Sequence, residues 1–508
     1  MRDLQGMRLL ENRGARIALL VFIFIAAFAA RLPRITAPGF ISHPTREYRS
    51  ALIAREMLYR NNTAGLTDWQ KRALAAQEFR RLEPPVIEYV VSSFYGIAGA
   101  ERTWIPRMLN IMLWLAGGAA LYLLAAEMLP RLAAICALAF FFFLPFGLVA
   151  GSSFQPDSLM VSLILWSLFF IWRCHARPGV GWLLTAALVS AVAVFVKAPA
   201  VIFVTTAFIA LAVHNRGWRG GLLNRRTAVF FAVLVVVGLS YYAVSIAVSQ
   251  RMAQQAGLTF RASELFSFSF LKGLFQMLRL VIGIPALVAV LLGLYFVPKG
   301  AARSMLAGLW AGYALYCVMF PHHIPTHRYY HLPLIPIAGF SFGLMAAAII
   351  TAAYNASGRA FPRAMVGLIC LVALVGTIGE KHWHWGNAGK DVKAAAEIGD
   401  RVEHSVRTVF LDSTYGHRLI YHGWLWGKSW PATYDYIVED ADYVFEKEFA
   451  HLKPEFFIVT YFHQYKLQPK LQRFLEDNYP LDAETESYLI YDLRGEKRPI
   501  ATRERKGT

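Results

Sequence analysis

The chain has 508 residues, a formal net charge of +18 and a mean hydropathy of +0.42, with 56% hydrophobic and 17% charged residues. Soluble domains carry roughly 45–50% apolar and about 25% charged residues, so this composition excludes an ordinary soluble protein. The excess positive charge sits in short loops between apolar runs, where membrane topology accounts for it and nucleic acid need not be invoked.

Apolar runs of about 17–23 residues, the length that crosses a bilayer, predict a polytopic α-helical membrane protein of about 11 transmembrane helices. In chain order they cover about 16–31, 107–127, 131–150, 157–173, 180–196, 199–213, 227–248, 272–296, 304–320, 331–353 and 364–380. With the N-terminus inside, every even-numbered span exits into a basic loop: Arg131; Arg173 and Arg177; Arg216, Arg219, Arg225 and Arg226; Lys299 and Arg303; Arg359 and Arg363. That asymmetry is the positive-inside pattern. The first run lacks a small-residue cleavage site and is followed by Arg31-Leu32-Pro33-Arg34, so it reads as a retained anchor. The four cysteines (Cys136, Cys174, Cys317, Cys370) lie in or beside apolar runs, with neither disulfide nor metal spacing.

The outer face then receives the charged loop 32–106, the segment 151–156, the loops 249–271 and 321–330, and a tail of different character from 381. The domains are therefore a transmembrane domain over 1–380 and a small extracytoplasmic α/β domain over 381–508. In the tail, Asp391–His404 and Gln468–Asn478 read as helices, and Thr408–Asp412, Phe456–Thr460 and Ser487–Leu493 as strands. Asp412, at a strand end, reads as structural.

Ionisable groups beside membrane spans are expensive and usually functional. The first outer loop holds Arg46, Glu47, Arg55 and Glu56 on a helix-like stretch, then Glu83, whose carboxylate is aimed by the rigid Pro84-Pro85, and Glu101 before Arg107. Asp157 opens the fourth span and reads mainly as a helix N-terminal charge. Lys197 sits between the fifth and sixth spans, and His322, His323, His327, Arg328, Tyr329, Tyr330 and His331 gather at another mouth of the same face. Cations and hydrogen-bonding groups converging from several spans suit a phosphate-bearing lipid headgroup. The histidines lack regular metal-ligand spacing, so neither a metal nor another cofactor is predicted.

These residues resemble the GT-C class of membrane glycosyltransferases, in the branch of protein O-mannosyltransferases and lipid A aminoarabinose transferases. That branch carries an Asp-Glu pair in the first outer loop, an Ala-Arg-Glu-Met-like segment, Lys-Pro-Pro-Leu, and an arginine opening the second span. Here Ala54-Arg55-Glu56-Met57 aligns without a gap, which puts Arg46-Glu47 on the acidic pair and Glu83-Pro84-Pro85-Val86 on Lys-Pro-Pro-Leu, with Arg107 opening the second span. The resemblance covers roughly 1–380. Two signs are exchanged: the family's loop aspartate falls on Arg46, and its lysine falls on Glu83.

The resemblance implies transfer of a monosaccharide from a polyprenyl-phosphate donor to an acceptor hydroxyl, with inversion, at the outer face of the cytoplasmic (inner) membrane. Glu47 or Glu83 would be the base. Arg46, Arg107, Lys197, His327, Arg328 and Tyr329 would bind the donor phosphate and substrate. The partners would be the lipid-linked sugar, membrane lipid, and a glycan, lipid or protein acceptor. A transporter or flippase of a lipid-linked sugar is the competing reading. It would favour internal repeats and midplane charges, neither of which is visible. A non-catalytic assembly partner is a third.

Overall fold

The computed structural model describes residues 12–33, 35–40, 42–60, 63–77, 83–248, 262–357 and 388–495. The expected span 364–380 lies outside them. The chain divides into two compact units, one of Met1–Thr36, Arg81–Ile87 and Trp104–His384, the other of Ala37–Arg80, Glu88–Thr103 and Trp385–Thr508.

The first unit is helical. Four of its described helices are each long and apolar enough to cross a membrane: Trp104–Met128, Pro156–Ala176, Ala200–Leu222 and Leu334–Asn355. Two bent pairs raise the number to six if each is one span. The chain is thus a multi-pass membrane protein. The bends have local causes. Between Arg225–Gly238 and Ser240–Val248 the axis turns by 47°, where a π-helical turn at Leu234–Gly238 breaks the α-helical register. Between Phe268–Val281 and Ile284–Phe296 it turns by 94°. There Gly283 takes φ +82°, in the left-handed region that favours glycine, and Pro285 follows in the first turn of the next helix. The run expected as one span over 272–296 is therefore two helices nearly at right angles. The run at 131–150 is likewise divided, into Arg131–Phe143 and Pro145–Ala150, because Pro145 cannot continue the first helix.

Packing within this unit follows side-chain size. Helix Val180–Val196 buries Ala186, Ala187, Ser190, Ala191 and Val194, while Leu184, Leu188 and Val192 form an exposed apolar stripe at four-residue spacing. The small face meets Pro156–Ala176. Helix Leu334–Ser357 packs on Arg131–Phe143, where a Cβ on Gly343 would lie 2.3 Å from the Ala133 carbonyl oxygen. Such small-residue contacts replace the hydrophobic driving force that lipid removes. Arg31 is buried and ties the first helix in, donating to the carbonyls of Ala27 (2.8 Å) and Phe142 (2.9 Å).

The second unit holds a five-stranded sheet of order β2-β1-β3-β5-β4. Its strands are β1 (Thr408–Leu411), β2 (Gly427–Ser429), β3 (Phe456–Val459), β4 (Leu481–Glu484) and β5 (Leu489–Asp492). β1 runs parallel to β2 and β3, and β5 runs antiparallel to β3 and β4. β1 and β3 are buried at every position, as their continuous apolar sequences require. Helix Pro44–Tyr59 belongs to this unit and packs on helix His417–Gly423. Arg55 fastens the two. It pairs with Glu101 at 2.9 Å, donates to the Tyr421 carbonyl at 2.8 Å, and stacks its guanidinium over the Tyr421 and Trp424 rings.

Candidate active site

In the first unit several of the residues singled out by sequence, Asp157, Glu83, Tyr329 and Tyr330, meet around Lys197. The lysine follows the last turn of Val180–Val196 in an extended conformation and is 6% exposed. Its Nζ donates to Asp157 Oδ1 at 2.6 Å and lies 3.8 Å from Glu83 Oε1. The ammonium also stands 5.4 Å from the Tyr329 ring centre and 5.8 Å from that of Tyr330. One buried cation thus carries two carboxylates and two aromatic faces.

Each partner is positioned by its own element. Asp157 follows Pro156 in the first turn of Pro156–Ala176 and is 1% exposed, so it meets both the helix N-terminus and Lys197. Glu83 precedes Pro84-Pro85, and its side chain is 24% exposed against 2% for Asp157. It is the more exposed of the two carboxylates. Beyond Lys197, the Ala198 N–H donates to the Tyr242 hydroxyl (3.1 Å), which donates to the Phe195 carbonyl (3.2 Å). This fixes the segment bearing the lysine.

A 3-10 turn, Arg328–His331, supplies the aromatic side. Tyr329 and Tyr330 lie 5.0 Å apart, and His323 stacks on Tyr330 at 4.9 Å. His327 stands edge-on to Tyr329 (5.4 Å) and shares a 2.7 Å hydrogen bond with Thr326. The Arg328 guanidinium lies 5.8 Å from the Phe146 ring. Arg107, 5% exposed, donates to the Ile35 carbonyl at 2.8 Å. Among the described residues, no group of three or more His, Cys, Asp or Glu side chains is placed to hold a metal ion.

Arg46 and Glu47 lie in the second unit. Glu47 sits in the first turn of Pro44–Tyr59, is 2% exposed, and accepts the His43 N–H at 3.1 Å. Its carboxylate therefore caps its own helix.

Sequence reasoning missed the strong Asp157–Lys197 pair, since no sequence pattern links two residues 40 positions apart. It also assigned no role to Gln155. That side chain is fully buried, and its amide nitrogen and oxygen make no hydrogen bond among the described residues. The Gln155-Pro156-Asp157 segment was the available signal.

Residues 82–245 match the family model described as dolichyl-phosphate-mannose-protein mannosyltransferase. The fold is similar to the crystal structure of ArnT from Cupriavidus metallidurans in the apo state (16% identity, 94% of this chain and 98% of that one, TM-score 0.59). It is equally similar to the same protein bound to undecaprenyl phosphate (17% identity, 94% and 98%, TM-score 0.60). The archaeal oligosaccharyltransferase AglB from Archaeoglobus fulgidus, in complex with an inhibitory peptide and a dolichol-phosphate, matches at 11% identity over 95% of this chain and 75% of that one, with TM-score 0.54. No curated protein matches the chain by sequence. The fold likeness and the family match bear out the resemblance to GT-C glycosyltransferases.

Proposed function

We propose that this chain is a glycosyltransferase that moves a monosaccharide from a polyprenyl-phosphate donor to an acceptor hydroxyl, with inversion at the anomeric carbon. The observation that carries the reading is the buried Lys197, held by Asp157 and approached by Glu83 beside Tyr329 and Tyr330. It is supported by a fold shared with a transferase structure that holds undecaprenyl phosphate. The transporter reading is not favoured by these comparisons.

The chemistry asks for two things. The leaving polyprenyl phosphate carries negative charge away from the sugar, and fixed cations lower the cost of that charge. Lys197, Arg107 and Arg328 fill this role, with His327 and Tyr329 as hydrogen-bonding neighbours. The attacking hydroxyl is a weak nucleophile, and a carboxylate within reach of its proton activates it. Glu83 suits this better than Asp157, which is committed to Lys197 at 2.6 Å, or Glu47, whose Oε2 accepts its own helix's His43 N–H. The exchange of signs relative to the resembled family then has a meaning: the carboxylate that family carries in its first motif is supplied here by the second.

In this reading the chain crosses the cytoplasmic membrane about 11 times with its N-terminus inside, and residues 381–508 form an extracytoplasmic domain on the side where transfer occurs. The test is to incubate purified, reconstituted protein with a panel of polyprenyl-phosphate monosaccharides and follow release of the polyprenyl phosphate. Turnover of one donor is expected. Specific binding of a donor without turnover of any would contradict the assignment.

A further inference from the structure

The sheet of the second unit has a feature that the membrane chemistry does not use. The chain leaves β1 through helix His417–Gly423 toward β2 on one side, and leaves β3 through helix Pro469–Asn478 toward β4 and β5 on the other. Where neighbouring parallel strands send their connections in opposite directions, a crevice opens at their C-terminal ends, and ligands bind there. β1 and β3 are such a pair.

That crevice is built. A cavity of about 270 Å³ is lined by Lys390, Asp391, Arg418, Thr460, Phe462 and Glu486, among others. Two of the lining residues, Arg418 and Thr460, are held by a buried Asp412, the residue just past β1. Asp412 Oδ1 accepts from Arg418 (2.9 Å) and Thr460 (2.6 Å), and Oδ2 accepts from the Thr414 N–H (2.7 Å), the Thr414 hydroxyl and the Gly416 N–H (3.2 Å). Burial alone would raise the Asp412 carboxyl, but Arg418 and the threonine hydrogen bonds outweigh it and hold the group below its ordinary value. Arg418 also donates to Asp391 at 2.6 Å, while its buried Nε has no hydrogen-bond partner among the described residues. Asp412, expected to be purely structural, thus orients the arginine of a crevice.

The lining decides the ligand class. An anion such as phosphate would meet the Asp391 and Glu486 carboxylates as well as the two cations. A neutral polyol has no such conflict. Its hydroxyls donate to the carboxylates and to the Thr460 oxygen, whose own proton goes to Asp412, and accept from Lys390 and Arg418, while the C–H face of a sugar ring can lie on Phe462. The cavity is also on the scale of a small ligand. We infer that the crevice at the ends of β1 and β3 is a binding site for a neutral carbohydrate, and that this carbohydrate is part of the acceptor. The second clause rests on the transferase reading; the first does not.

Removing Arg418 would strand buried Asp412 without its cation and unfold the domain, so the test uses surface positions on the rim. Ser487, exposed beside Glu486, lines the same cavity. Saturation-transfer NMR on the full chain in sugar-free lipid nanodiscs is run with methyl glycosides of neutral hexoses and pentoses, and in competition with inorganic phosphate. Transfer to at least one glycoside is expected, weakened at least tenfold in Ser487→Trp and in Lys390→Ala and unaffected by phosphate. No transfer to any glycoside, equal transfer in Ser487→Trp, or displacement by phosphate would overturn the site. Donor-lipid turnover in the same samples separates the two clauses. If Ser487→Trp raises the acceptor KM at least tenfold with unchanged donor hydrolysis, the acceptor role holds. Glycoside binding in a protein that turns over no donor overturns the transferase reading and the acceptor role, leaving a carbohydrate site.

Discussion

At the residue scale, Lys197 and Asp157 form a tightly constrained pair in the first unit, both nearly inaccessible and 2.6 Å apart. Removing one member of a buried pair leaves the other's charge uncompensated, at a cost of roughly 3–5 kcal/mol, whereas replacing both by neutral groups of similar size is often tolerated. Lys197→Met alone is therefore expected to lower the unfolding temperature strongly, and Asp157→Asn/Lys197→Met to recover most of that loss. Donor turnover should stay at least about 100-fold down in the double variant, because the cation that meets the leaving phosphate is still missing. Thermal unfolding measured beside turnover checks both. Recovery of activity along with stability would mean that the pair is structural. The ionisable types were legible in the sequence at this scale. The partner of each was not, because pairing depends on which helix ends the fold brings together.

His422 carries a second prediction. The Phe40 N–H donates to the Tyr48 hydroxyl (3.2 Å), which stands 3.1 Å from His422 Nε2, an arrangement satisfied when the neutral ring accepts from Tyr48. Burial, with the charges of Arg55 and Arg418, lowers the His422 pKa to about 3. An unfolded histidine titrates near 6.5, so between those values the unfolded chain binds a proton that the folded one refuses. The contribution is fully present above pH ~6.5 and is lost progressively on acidification, at up to about 1.4 kcal/mol per pH unit. Urea unfolding followed by tryptophan fluorescence should show a shallower loss of stability between pH 6.5 and 4.5 in His422→Gln than in the parent chain.

At the element scale, small residues decide which helices can meet. Gly343 faces Ala133 so closely that any Cβ would collide with backbone, which cannot move aside as a flexible side chain can. Gly343→Val is expected to separate Leu334–Ser357 from Arg131–Phe143 and to destabilise the protein by about 2 kcal/mol or more. Differential scanning fluorimetry in detergent would register this as a lowered unfolding temperature. The same scale shows where run length misleads. The sequence between 272 and 296 is apolar throughout, so hydropathy reads one span, but Gly283 and Pro285 set a 94° turn inside it. In the tail, the apolar β1, β3 and β5 were recognisable from their composition. β2, three residues with little burial, and β4, an edge strand exposed at three of its four positions, carry no apolar pattern to read.

At the scale of the whole molecule, the membrane character and the GT-C-like fold were readable because they rest on composition, loop charge and the order of motifs along the chain. The grouping of Ala37–Arg80 with the C-terminal residues was not, because it depends on contacts such as Arg55 with Tyr421, 366 positions apart in the chain. The central claim is that the carboxylate activating the acceptor comes from Glu83, with Glu47 serving as a helix cap. The most direct measurement is sugar transfer from the turned-over donor by Glu83→Gln and Glu47→Gln, each normalised to folded protein. The account predicts that Glu83→Gln loses transfer by about 100-fold or more, in the range expected for removal of a general base, while Glu47→Gln keeps most of its rate. Full transfer by Glu83→Gln, with loss in Glu47→Gln at unchanged stability, would contradict it.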